Sequence, residues 1–351
     1  MNKQMMYVTG KAGKSGARDA IPRHMGNVIG FGQEDRSFAA GSAGKIDFPP
    51  GFFVIGAPRC GTTALCKMLA RHPGISFSKP KEPHYFLELP GALSDEQVRS
   101  RYLGLYHRGL SVEHEAIGDG SISYLYFPEA IRQILRFDPR ARFIVSVRNP
   151  VDLLVSYHNR LLYQLDENER DFARAWSLQG RRAAGLDIPK RCREPLMLQY
   201  GEIGQLGKRL EHLFGIVGHE RCLVIVFDDL IRDPRAAYTR ILGFIGLDDD
   251  GQETFRQRRE TRDYRYAWLQ QFVMNPPSWL MRNIDFSNTR LLEQLKKIRK
   301  RVKKFNTRPP AQRAELSDEM LGILREYFAD DVHKLSGLLG RDLAHWLNPG
   351  S

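Results

Sequence analysis

The stretch Gly51-Phe-Phe-Val-Ile-Gly56-Ala-Pro-Arg-Cys-Gly61-Thr62-Thr63-Ala-Leu65 decides the fold class. Its four consecutive apolar residues read as a strand covered on both faces, and a helical pattern follows the glycine-bearing turn as far as His72-Pro73. Glycines at 56 and 61 bracket four residues at this strand-to-helix turn. That spacing lets a loop wrap its backbone N–H groups around phosphate oxygens at a helix N-terminus. The lysine that a triphosphate loop carries after its second glycine is replaced by Thr62, and the cation sits inside the loop as Arg59. Because that lysine acts with Mg²⁺ to neutralise the β and γ phosphates, the loop predicts an anion, but not ATP. The plainer reading is a tight turn whose Thr62 or Thr63 caps a helix.

Outward from this segment, Arg142–Val147 and Cys222–Phe227 are further short apolar runs, with a weaker one at Ala116–Gly118, and helical patterns lie between them. The pattern predicts an α/β, P-loop-like three-layer fold with a central parallel sheet flanked by helices. After Asp248-Asp249-Asp250 the pattern is helix and loop without a convincing strand, giving a helical C-terminal part. One helix there is phased by Leu291, Leu295, Ile298, Val302 and Phe305, and a second spans Asp318 to Leu339. Residues 1–48, rich in Gly, Ala, Ser and charge, read as a flexible arm, and 49–351 as one domain.

The 351 residues are 42% hydrophobic and 27% charged, a globular composition. No run approaches the roughly 18 apolar residues of a membrane-spanning helix. The N-terminus MNKQMMYVTGKAGKSG lacks the apolar middle of a signal peptide, so the expected location is cytoplasmic. Cys60, Cys66, Cys192 and Cys222 show no metal-ligand spacing and are expected to be reduced; no metal site is predicted. Net charge is +12. Seven of those charges fall between Lys296 and Lys304, and removing them from +12 leaves +5. That run is a solvated helix face or a contact for an anionic partner, such as the surface of a membrane met peripherally.

Together with the loop, the block Ala141-Arg-Phe-Ile-Val-Ser-Val-Arg148-Asn-Pro150, followed by Ser156, resembles the sulfotransferases that use 3′-phosphoadenosine 5′-phosphosulfate (PAPS). The motifs are most like those of bacterial-type carbohydrate sulfotransferases. Lys79-Pro-Lys-Glu82-Pro-His84-Tyr-Phe86, Cys222–Leu247 and Tyr327–Trp346 are further matches. The resemblance implies that Arg59, Cys60, Gly61, Thr62, Thr63 and Ala64 hold the 5′-phosphosulfate, in a place where the family usually has lysine instead of Arg59. It implies that Arg148 and Ser156 hold the 3′-phosphate. Local chemistry is consistent, since Arg148 would end a strand and Asn149-Pro150 are good helix-start residues; taken alone, Arg148 would read as a surface ion pair.

For the base, the resemblance implies Glu82, with His84 as the other candidate; in an extended segment both would point to one side. Arg59 would act electrostatically, because arginine does not give up its proton. Lys79 and Lys81 would contact sulfate or acceptor, or belong to a solvated loop. Arg308, or Lys303 or Lys304 beside it, would close over the nucleotide. Gly118-Asp119-Gly120-Ser121 departs from many glycan enzymes, which carry lysine at the place of Gly120, so another side chain supplies that cation or the acceptor differs.

The implied acceptor is a hydroxyl or amine of a glycan, glycolipid or small metabolite, and no nucleic-acid partner is expected. Two other classes stay open. One is a P-loop ATPase or kinase, with Asp228 ending a strand as a metal-binding carboxylate. The other is a basic membrane- or nucleic-acid-binding module. A cysteine phosphatase is excluded, because the position six residues after Cys60 is Cys66 and not arginine.

Overall fold

A computed structural model of the chain describes residues 48–87, 93–255, 263–274, 289–308 and 316–348. The arm expected at the N-terminus therefore lies outside the described residues except for Phe48, which is buried with its ring 5.1 Å from that of Phe137.

Strands β1 (Gly51–Gly56), β2 (Ile75–Phe77), β3 (Ala116–Asp119), β4 (Arg142–Val147) and β5 (Cys222–Val226) form one sheet in the order β2-β3-β1-β4-β5. Every neighbouring pair is parallel. In chain order the helices are α1 (Thr62–Leu69), α2 (Asp95–Tyr106), α3 (Pro128–Phe137) and α4 (Pro150–Gln164), then three short ones, α5 (Phe172–Ser177), α6 (Gln179–Ala183) and α7 (Tyr200–Gly204). They continue with α8 (Leu206–Val217), α9 (Phe227–Arg232), α10 (Pro234–Ile245) and α11 (Ala267–Met274), a basic helix (Thr289–Asn306) and a C-terminal helix (Asp318–Leu339).

Alternation along β1 divides the core in two. Phe53 and Ile55 join Phe143, Val145 and Val147 on one face, under α3, α4, α8 and the C-terminal helix. Phe52 and Val54 join Ile144, Leu223 and Ile225 on the other, under α1 and α10. Both faces are covered, which is why the strands read as unbroken apolar runs. The third layer of the first face comes from the C-terminal helix, capped by Ser317, whose side chain accepts from Met320 N.

Three strands escape the sequence pattern, and one ends early. β2 is three residues at the sheet edge, too short for periodicity to register. β6 (Asp263–Tyr264) and β7 (Thr307–Arg308) make a two-residue antiparallel ribbon in the part read as strandless. β5 stops at Val226, and Phe227 already begins α9. Because β1 is central, with β3 on one side and β4 on the other, the carboxyl ends of β1 and β4 open at the point where the connections diverge, where open α/β sheets bind ligands.

Candidate active site

The loop after β1 is built on two residues in the left-handed region, Arg59 (φ 64°) and Gly61 (φ 81°). It is fastened to β4: Ala57 N donates to Ser146 O at 2.7 Å, and the Ser146 hydroxyl donates to Cys60 O. Gly61 also tolerates no side chain, since a Cβ there would lie 2.8 Å from Leu230 and 3.0 Å from Phe227. Gly61 is the N-cap of α1 and no side chain caps that helix, so neither Thr62 nor Thr63 plays the capping role offered by the plainer reading. The first-turn N–H groups of α1 and the positive end of its dipole thus face the loop without a side-chain acceptor, the arrangement that suits an anion. Cys60 is buried and its thiol is pushed up to about 12 by desolvation, so it stays protonated.

The second block arrives as expected. Arg148 follows the last residue of β4; Asn149 caps α4 by accepting from Val151 N, Pro150 fills the first turn, and Ser156 lies on the helix. Arg59 Nε donates to Ser156 Oγ at 2.8 Å, joining residues 97 apart in sequence. Arg148 is clamped on two sides, by Asp152 at 2.9 Å and by the ring of Phe227, 4.7 Å from its guanidinium carbon. Its Nε is buried and makes no hydrogen bond. A buried guanidinium N–H without an acceptor is costly, and an incoming oxyanion would satisfy it. Phe227 escapes sequence reading: as the last apolar residue of a strand-like run it carries no signal of turning onto an arginine.

Glu82 and His84 also converge, though not by the route expected. His84 has φ 54°, so the segment is not extended, yet Glu82 Oε2 lies 3.7 Å from His84 Nε2. Ser123 Oγ holds His84 Nδ1 at 2.7 Å, and Ser121 Oγ accepts from the His84 backbone N–H at 3.0 Å. Burial lowers the His84 pKa; Glu82 pulls it back up, while Lys81 and Arg193 add to the lowering, so the ring is neutral near pH 7. Beneath them Asp119, fully buried, accepts from Ser121 N at 2.7 Å and Tyr102 OH at 2.9 Å, and desolvation raises its carboxyl to about 6.

Lys81 is the residue that geometry promotes. Its ammonium is 2.5 Å from Glu82 Oε1. Its stem crosses Gly120 so closely that a Cβ there would meet Lys81 Cε at 2.9 Å and Cys66 Sγ at 2.7 Å. The space a side chain at 120 would use is taken by Lys81. Arg308, in contrast, is in the β6–β7 ribbon, paired with Asp263 at 2.8 Å, and Lys303 lies over the ring of Tyr163 at 5.8 Å.

Residues 49–335 match the family model described as the sulfotransferase domain. Human carbohydrate sulfotransferase 15 is 33% identical over 147 residues, which cover 30% of this chain and 26% of that protein. The bifunctional heparan sulfate N-deacetylase/N-sulfotransferase 1 of Caenorhabditis briggsae is 30% identical over 121 residues, 33% of this chain and 13% of that protein. The chain thus spans about a quarter or less of the length of these relatives. The crystal structure of a sulfotransferase from Alicyclobacillus acidocaldarius superposes with a TM-score of 0.57 at 22% identity, covering 85% of this chain and 99% of that one, which establishes the shared fold.

Proposed function

The chain belongs to the sulfotransferase domain family, and from that premise we propose that it moves a sulfuryl group from PAPS to a hydroxyl or amine of a glycan. The observation that carries the reading is the 2.8 Å bond from Arg59 to Ser156, because it brings the phosphate-type loop and the β4–α4 block to one place. The names of the relatives support a carbohydrate acceptor; a glycolipid or small metabolite hydroxyl is the other acceptor class.

PAPS supplies the sulfuryl group on a 5′-phosphate leaving group. The residues fit a nucleotide anionic at both ends: the uncapped start of α1 at one, and the unsatisfied Arg148 Nε at the other. Arg59 remains cationic throughout and stabilises charge that builds on the bridging oxygen as the S–O bond breaks. Glu82 takes the acceptor proton as the acceptor oxygen or nitrogen attacks sulfur, and the products are the sulfated acceptor and 3′,5′-ADP. Lys81 orients the Glu82 carboxylate, and Ser123 orients His84 so that its Nε2 faces Glu82. His84 is the other candidate base, and the 3.7 Å approach lets either group serve a proton between them.

Calorimetric titration tests this directly. We expect 3′,5′-ADP to bind without Mg²⁺ and ATP to bind far more weakly. Preference for ATP with Mg²⁺, together with its hydrolysis, would assign the loop to an ATPase.

A further inference from the structure

The basic helix has an inner and an outer side that the contacts define. Asn306 is fully buried and its Nδ2 donates to Tyr266 O at 3.1 Å, while Arg299 Nε donates to Val273 O at 3.1 Å. Residues 299 and 306, seven apart, are therefore the side that rests on α11. On α11, Gln270 and Val273 are buried, and Gln270 Nε2 donates to Tyr163 O at 2.7 Å, so this helix also has its inner side fixed.

The outer sides carry apolar groups that the fold leaves in water. Ile298 and Phe305, again seven apart, are 55% and 58% exposed; on α11, Trp268 and Phe272, four apart, are 70% and 42% exposed. Sequence phasing places Ile298 and Phe305 on the apolar stripe of an amphipathic helix, and such a stripe ordinarily packs inward. Here it stays open. Next to it on the same helix Lys297, Lys300 and Arg301 are exposed.

We propose that α11 and the basic helix form a peripheral docking surface for an anionic membrane, with Trp268, Phe272, Ile298 and Phe305 entering the headgroup boundary and Lys297, Lys300 and Arg301 meeting the lipid charge. Large exposed apolar groups rimmed by cations are the signature of an interfacial helix. A polyanion such as an acidic glycan would need the cations alone, and so leaves the aromatic and aliphatic exposure without a purpose. The surface is interfacial and not spanning, since no helix among the described residues is long and apolar enough to cross a membrane. The proposal is independent of the transfer chemistry, because none of these seven residues belongs to the candidate active site.

The test is co-sedimentation of the full chain with vesicles of phosphatidylcholine alone or with about 30% phosphatidylserine. Binding is expected only to the anionic vesicles. Trp268→Ala with Phe305→Ala should weaken it about tenfold, and Lys297→Ala with Arg301→Ala about thirtyfold, with transfer to a soluble acceptor unchanged. As a readout that needs no destabilising variant, brominated lipid should quench part of the tryptophan emission, and Trp268→Phe should remove that part. Absence of binding, or quenching that survives Trp268→Phe, would overturn the proposal. So would vesicle binding that ignores the apolar pair and is displaced by heparin, which would assign the surface to a polyanion.

Discussion

Arg148 offers the sharpest separation between a ligand contact and a structural one. In Arg148→Ala the lost protein contacts are an ion pair to Asp152, a residue 62% exposed, and the stack on Phe227. An exposed pair of this kind is worth about 0.2–1 kcal/mol, and an exposed-to-half-buried cation–π contact about 0.5–2 kcal/mol. What the ligand loses is larger. A charge-assisted hydrogen bond from the buried Nε contributes about 1.5–3 kcal/mol, and loss of the rest of the fork adds to it. A total near 3 kcal/mol corresponds to about a hundredfold in Kd. Calorimetry with 3′,5′-ADP and with adenosine 5′-monophosphate, on wild type and variant, closes a cycle in which only the 3′-phosphate differs. The monophosphate matters because Phe227 also packs where a Gly61 Cβ would be, 3.0 Å away, so loosening Phe227 disturbs the loop and weakens both ligands alike. We expect about a hundredfold loss for 3′,5′-ADP and no more than about threefold for the monophosphate. Arg148→Lys should restore only part of the difference, because a point charge does not reproduce the planar fork. Equal losses for the two nucleotides, or none, would refute the assignment of Arg148 to the 3′-phosphate.

Glu82→Gln should lower kcat by about 10²–10⁴ while leaving 3′,5′-ADP affinity intact, and His84→Asn should cost less; the reverse ranking in a turnover assay moves the base to His84. Lys81→Met keeps the stem over Gly120 but removes the ammonium from Glu82, so kcat should fall at least tenfold with unchanged thermal stability. An unaltered kcat would make Lys81 a packing residue. His107 sets an acid limb of stability: burial lowers its pKa from 6.5 to about 4, and its Nε2 has no partner. The neutral form is favoured in the fold, so this stability is fully present above 6.5 and is lost as pH falls through about 4. Charging the ring costs about 3 kcal/mol over that interval, and the drop in denaturant midpoint between neutral and acid pH should shrink accordingly in His107→Asn. An unchanged drop would mean that His107 is solvated in the folded protein.

Legibility in the sequence followed burial. β1 and β4 are covered on both faces, so their apolar runs announced strands at the right positions, and Asn149-Pro150 announced a helix start that the structure uses. β2 did not register because three residues at an edge carry no period. The β6–β7 ribbon is shorter still, and it is held by cross-strand partners such as Arg308–Asp263 that sequence distance conceals. The stripe on the basic helix was visible, but which way it faces was not: periodicity reports that apolar residues are aligned and says nothing about whether a neighbour covers them.

The candidate site shows the same boundary more sharply. The places of Arg59 and Arg148 were legible because backbone requirements surround them, glycine spacing at 56 and 61, a strand end and a helix cap, whereas the phosphate roles of Arg148 and Ser156 came from the family resemblance. Glu82, His84 and Lys81 lie on a segment with no regular structure, and their convergence depends on a left-handed His84 and on serines 37 and 39 residues away. Gly120 is the informative case. Read alone it marks a missing cation; in the fold it makes room for one, because a Cβ there would lie 2.9 Å from Lys81 Cε as well as 2.7 Å from Cys66 Sγ. A glycine at 120 and a lysine at 81 are thus one feature written at two places. Gly120→Ala should therefore mimic Lys81→Met in lowering kcat, and the double substitution should be no worse than either alone. Additive losses in the turnover assay would show that the two positions act separately, the Gly120→Ala loss then belonging to the contact with Cys66 Sγ.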